Sequence, residues 1–307
     1  MKSYTYSEIK RIPEILKEME KYSFGFLPSK KYFFVGCGSS YNLSFTASKV
    51  LENFGIDSEV ITGGKVIAFD YVPKCDVAIF ISRTGESTET IKAAEKFKEK
   101  GIYTIGITCE KNTSLEKVCA QTFVFEFLYE NSIVMTGSFV AILYFLIKMH
   151  DVDGYLHEKS KRLIYETEIL LENMDLKKFN HFIFLGFDEE YGISKEGALK
   201  MQEMAKQFVE FHEPLEYRHG PISNISENSL VVINSKDTSF EYQLKKDLER
   251  YTKVIFLGEN GDLDLKYNYG LETPLKVIFS QILSYRKAIC EGFNPDVPDN
   301  LTKSVKI

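Results

Sequence analysis

Residues 31–42, KYFFVGCGSSYN, carry the reading that decides the fold. An unbroken aromatic and β-branched run stops at Gly36-Cys37-Gly38, and a polar stretch with helical spacing follows. That is a strand covered on both faces, ending in a glycine turn that feeds a helix. The same grammar returns in HFIFLGFDEEYG (181–192), where Gly186 takes the place of Gly36. DVAIFISRTGES (76–87) is echoed by SLVVINSKDTSF (229–240), and TIGITCEKN (104–112) by VIFLGENG (254–261). Three echoes in register, at an offset of about 150 residues, define an internal duplication.

Working outward, strand patterns fall at 31–36, 77–82, 103–108 and 122–127, with helical patterns at 40–54, 88–100 and 136–150 between them. This alternation predicts right-handed βαβ units and a mainly parallel sheet in each copy. The expected organisation is a first unit over 1–154, a charged linker helix (155–174) leading into a second unit that ends at 291, and a non-repeated tail over 292–307. The 307 residues, 44% hydrophobic and 27% charged, suit a soluble globular protein with a real core. Thirty-eight basic against 44 acidic residues leave a net charge of -6. No basic field exists to hold nucleic acid or an anionic membrane, so an anionic ligand must be held locally. Cys37, Cys75, Cys109, Cys119 and Cys290 are odd in number and form no CxxC pair, which predicts reduced thiols and no zinc site. The charged opening residues and the lack of an apolar run of about 18 residues predict a cytoplasmic protein without signal peptide or membrane span.

Four groups of residues are candidates for chemistry. In VGCGSS (35–40), Ser39 or Ser40 as helix cap leaves N–H groups facing an anion; the bland alternative is a tight turn with a serine cap. Tyr41 stands where a dinucleotide fingerprint needs its third glycine. In ISRTGES (81–87) a second strand ends in Ser82, Thr84 and Ser87, and its helix begins at Ser87 or Thr88. Two hydroxyl-rich turns at the carboxyl ends of parallel strands are placed to converge on one phosphate monoester. Arg83 either adds charge there or is a solvated turn residue. Glu196, Lys200 and Glu203, spaced i, i+4 and i+7, share one helix face. They are either a surface ion-pair ladder or, since this helix is the repeat counterpart of the one after VGCGSS, a carboxylate proton shuttle tuned by an ammonium. His219, in the loop YRHGP (217–221), is the acid/base candidate among the histidines. His150, His157, His181 and His212 read as helix-end, surface or strand-flanking residues, and no metal-ligand spacing exists. By composition, the tail PDNLTKSVKI (298–307) is frayed, with Lys303 and Lys306 solvated.

Taken together, VGCGSSYN, SRTGES, EGALKMQE, HGP and NLTKSV, in this order over nearly the whole chain, resemble the sugar isomerase (SIS) domain family. The likeness is to the isomerase module of glucosamine-6-phosphate synthase, and SIVMTGSF (132–139) resembles a motif of the SIS-type glucosamine-6-phosphate deaminases. The resemblance implies two tandem flavodoxin-like SIS subdomains. It implies a phosphate cradle at Ser82, Arg83, Thr84 and Ser87 with Cys37, Gly38, Ser39 and Ser40 alongside, although the family usually has glutamine at the position of Arg83. It assigns C1–C2 proton transfer to Glu203 with Lys200, and places Glu196 on the same face. Ring opening falls to His219, reaching across from the partner of a homodimer. Schiff-base chemistry falls to Lys303, so the tail should close over the site. No cofactor or metal is implied. The chain is expected to lack the synthase's glutaminase domain, leaving conversion of glucosamine 6-phosphate to fructose 6-phosphate and ammonia as the expected reaction. Gln202, Tyr217 and Arg218 depart from the synthase pattern. They leave open another amino sugar phosphate such as galactosamine 6-phosphate, a plain aldose–ketose isomerisation, or a non-catalytic sugar-phosphate sensor.

Overall fold

A computed structural model describes residues 3–148 and 156–307. His150 and the first residue of the expected linker helix, Tyr155, lie outside the described residues. Two five-stranded sheets form the frame. The first contains β1 (Tyr32–Gly36), β2 (Ser58–Thr62), β3 (Val77–Ile81), β4 (Tyr103–Thr108) and β5 (Gln121–Val124) in the order β2-β1-β3-β4-β5. The second contains β6 (His181–Gly186), β7 (Phe208–His212), β8 (Ser229–Asn234), β9 (Lys253–Gly258) and β10 (Leu263–Asp264) in the order β10-β9-β8-β6-β7. Every pairing is parallel. Read from the other edge, the second order repeats the first strand for strand, so the duplication in the sequence is one of topology.

The helices of the first half are α1 (Tyr4–Lys10), α2 (Ile12–Met19), α3 (Ser39–Asn53), α4 (Gly63–Ala68), α5 (Thr88–Glu99), α6 (Ser114–Val118) and α7 (Gly137–Ile147). Those of the second are α8 (Leu156–Glu172), α9 (Glu189–Ala205), α10 (Ser239–Leu248) and α11 (Thr273–Cys290). Strand alternation sorts the side chains into layers. Phe33 and Val35 of β1 pack outward against Ala93, Ala94 and Phe97 of α5, whereas Phe34 joins the central core with residues of α3, α7, α9 and α11. In β8, Val231 and Ile233 meet Leu244 and Leu248 of α10, while Leu230 and Val232 face the same central core. One apolar core therefore runs between the two sheets.

At its centre α3 lies on α9. Gly192 makes this approach possible, since a Cβ there would collide with Thr46 Oγ1 and come within 3.1 Å of the Thr46 nitrogen. Helix α7 is buried along its whole length, which explains its uninterrupted apolar sequence. Among the described residues no helix is long and apolar enough to cross a membrane.

Three local expectations change. β2 (SEVIT) and β7 (FVEFH) flank β1 and β6 and are only partly buried, so their mixed composition concealed them from a search for continuous apolar runs. The strand expected over 122–127 stops at Val124, and a 3-10 turn follows at Glu126–Leu128. The helix after VGCGSS is capped by Gly38 at φ +56°, a conformation open to glycine, and Ser39 is its first helical residue. The serine hydroxyls are thereby freed from capping.

Candidate active site

The carboxyl ends of β1 and β3, where the strand order reverses direction, open into a cleft of about 160 Å³. Its walls come from both halves of the chain: Cys37, Gly38, Ser39 and Ser40 from the first turn, Arg83, Thr84 and Ser87 from the second, Glu203 from α9. Residues 301–305 of the tail close it. The 82–87 turn is internally braced. Gly85, at φ +66°, donates its N–H to the Ser82 carbonyl and packs against Thr113, and Ser82 Oγ lies 3.3 Å from Ser87 Oγ. Ser82 itself is buried behind the lining. Ser87 occupies the N-cap of α5 without making a side-chain capping bond. Hydroxyls at a helix N-terminus complement an anion.

Glu196, Lys200 and Glu203 are no surface ladder. Lys200 is fully buried, its Nζ donating to Glu203 Oε2 and, at 3.1 Å, to Ser39 Oγ, with Glu196 Oε1 at 3.4 Å. Asn42 Nδ2 donates to Glu196 Oε2 at 3.0 Å. These bonds tie α9 of the second half to α3 of the first, just below the cleft. Burial alone pushes the Lys200 ammonium down, but Glu196 and Glu203 more than reverse that and leave its pKa raised. Burial raises the Glu196 carboxyl, with Lys200 opposing and Glu203 adding to the rise. The result is a charged lysine holding a cleft-facing carboxylate in a fixed place. Such a carboxylate is equipped to take up and return a proton.

Arg83 follows neither sequence expectation. It is buried, and its guanidinium turns away from the cleft to Glu130 Oε2 at 3.0 Å and to the carbonyls of Ile133 (2.6 Å), Val134 (2.8 Å) and Ser132 (3.4 Å). Glu130 in turn accepts from Thr136 and Ser138 at the start of α7. Arg83 thus holds the wall that carries Ile133 and Met135, with both terminal nitrogens of its guanidinium engaged by the protein. The solvated reading of the tail is overturned for Lys303, whereas Lys306 is exposed as expected. Lys303 Nζ donates to the Glu130 carbonyl at 2.6 Å and lies over the Tyr129 ring, while Thr88 N–H donates to the Val305 carbonyl at 3.1 Å. His219 is exposed after the 3-10 turn Glu216–Arg218 and is not among the residues lining the cleft of its own chain.

Sequence reasoning missed Glu89, Glu130, Ile133, Met135 and the tail residues flanking Lys303. Nothing in the sequence distinguishes Glu89 from an ordinary acid in a helix's first turn. In the second copy the corresponding turn, Ser235-Lys236-Asp237-Thr238, is filled by the protein itself: Glu241 accepts from the N–H groups of Lys236 and Thr238 and from both hydroxyls. Lys276, fully buried, is bound to Glu190 and Glu272 nearby. Of these two corresponding turns, only the one in the first copy is open.

A doubly wound pair of sheets with a hydroxyl turn and a lysine-held carboxylate at one switch point matches a known class: residues 25–146 and 175–249 fit the SIS domain, and the chain belongs to the SIS domain family. It is 34% identical to glucosamine-6-phosphate deaminase from Thermotoga maritima, with a TM-score of 0.91 over 99% of this chain and 100% of that one. It is 29% identical to glutamine–fructose-6-phosphate aminotransferase [isomerizing] from Aquifex aeolicus, over 91% of this chain but 52% of that protein. The chain spans about half the length of the curated relatives it matches. Tagatose-6-phosphate ketose/aldose isomerase from Escherichia coli shares the fold at 18% identity and a TM-score of 0.76.

Proposed function

We propose that this protein is an isomerising amino sugar phosphate deaminase that converts glucosamine 6-phosphate and water to fructose 6-phosphate and ammonia. The observation that carries the reading is the arrangement of Glu203, which lines one cleft with Thr84 and Ser87 and is joined through Lys200 to Ser39 of the neighbouring turn. The phosphate rests on Ser39 and Ser40 at the start of α3 and on Thr84 and Ser87 leading into α5, with buried Ser82 holding Ser87 from behind. Ring opening exposes the C1 aldehyde, which acidifies the C2 proton; Glu203 removes that proton and returns it to C1. The C2 imine that results adds water, its C–N bond breaks, and ammonia leaves. The exposed position of His219 suits a group presented to the cleft of a second subunit in a homodimer. Lys303 closes the cleft and, once released from the Glu130 carbonyl, reaches the ketose end. The likeness to the Thermotoga maritima deaminase along the full length supports the loss of nitrogen in addition to isomerisation. Incubation of the protein with a panel of hexosamine and hexose 6-phosphates, measuring ammonia and ketose together, tests the reading. Equimolar ammonia and ketose from glucosamine 6-phosphate are expected; ketose without ammonia, or binding without turnover, refutes it.

A further inference from the structure

The cleft contains one carboxylate for which the protein supplies no partner. Glu89 lies in the first turn of α5, just beyond Ser87, and lines the cleft beside Cys37. Its Oε2 is buried and accepts no hydrogen bond among the described residues. The other charges around the cleft are matched: Glu203 by Lys200, Glu130 by Arg83, and the Lys303 ammonium by a carbonyl and the Tyr129 ring. Cys37 beside Glu89 has no cationic form and cannot be a counter-charge; burial first, and the nearby Glu89 charge as well, raise its thiol pKa.

A buried carboxylate oxygen without a donor is unfavourable unless a ligand supplies one. Beside an anion cradle it also repels any ligand that carries a phosphate and nothing else. A ligand bearing both a phosphate and an ammonium turns that repulsion into a charge-assisted hydrogen bond. We infer that Glu89 is the amine-recognising residue of the cleft, selecting a zwitterionic amino sugar phosphate over its neutral hydroxyl counterpart. This rests on the proposed amino sugar phosphate reading and names the residue that enforces it.

The test uses two open-chain ligands that lack the carbonyl and cannot turn over, 2-amino-2-deoxyglucitol 6-phosphate and glucitol 6-phosphate, titrated calorimetrically. The wild-type protein is expected to bind the amino ligand about tenfold or more tighter, the value of one charge-assisted hydrogen bond. Glu89→Gln should bring the ratio to within about threefold, chiefly by weakening the amino ligand. Glu89→Asp, which keeps the charge on a shorter arm, should fall between, and melting curves check that each variant is folded. A wild-type ratio near one, an unchanged ratio in Glu89→Gln, or equal weakening of both ligands overturns the inference. Because neither ligand turns over, the outcome is separate from ammonia release: release with a ratio near one removes only the role of Glu89, whereas a high ratio without release removes only the deaminase reading.

Discussion

Replacing Arg83 by glutamine removes a guanidinium that is buried and engaged by one carboxylate and three carbonyls. Breaking a buried ion pair from one side costs about 3–5 kcal/mol, because the remaining charge stays in a low dielectric. The lower end applies here, since Glu130 keeps the N–H and hydroxyl donors of Thr136 and Ser138. The expected loss is therefore about 3 kcal/mol, or roughly 6 °C in melting temperature at about 2 °C per kcal/mol for a chain of this size. Urea unfolding of Arg83→Gln, Glu130→Gln and the double variant measures it. The double variant should lose about 1–3 kcal/mol less than the sum of the single losses, since each single change strands the other partner. In the proposed reaction kcat/KM should fall as well, because Ile133, Met135 and the carbonyl that holds Lys303 all belong to the wall Arg83 supports. An Arg83→Gln protein within about 0.5 kcal/mol of wild type, or additive losses in the double variant, refutes the assignment of Arg83 as a strut.

Gly192→Ala should destabilise by about 1–3 kcal/mol, because its methyl group enters the α3–α9 contact at Thr46 and Phe45. It should also lower turnover by separating Lys200 from Ser39, with thermal unfolding and initial rates as the measurements. Asp296 fastens the root of the tail to the amino terminus, accepting from Ser3 Oγ (2.7 Å), Tyr4 N (2.9 Å) and Thr5 N (2.8 Å). Burial alone would raise its pKa, but these bonds outweigh burial and hold it below its ordinary value of 3.8. A depressed carboxyl stabilises the fold above the unfolded value, and that contribution disappears as pH falls through the folded one. Wild type and Asp296→Asn should therefore differ in melting temperature near neutrality, with the gap starting to narrow only as pH falls below about 4; a constant gap would contradict this.

The duplication was legible because it rests on continuous apolar strands and glycine turns, patterns that survive in composition. KYFFVG and HFIFLG lie in the middle of their sheets and are buried on both faces, whereas SEVIT and FVEFH lie beside them, are partly solvated, and escaped notice. The helix face of Glu196, Lys200 and Glu203 was visible as spacing, but its burial depends on how α9 meets α3 across about 150 residues of chain. Arg83 was misread for the same reason. Its partners at 130–134 approach through the fold, and a guanidinium flanked by Ser82 and Thr84 looks like an anion ligand until the partners of its two terminal nitrogens are located. Glu89 has no sequence signal because an acid at N2 is ordinary; only its place in the cleft lining and its buried oxygen without a partner among the described residues distinguish it.

The central claim is that Glu203 moves a proton on a sugar phosphate held by the hydroxyl turn of the first sheet. Glu203→Gln keeps size and hydrogen bonding at that position while removing the base. The decisive measurement pairs ammonia release from glucosamine 6-phosphate with calorimetric binding of the same ligand by this variant. The account predicts loss of ammonia release with binding nearly intact; a Glu203→Gln protein that still releases ammonia at a rate close to wild type contradicts it.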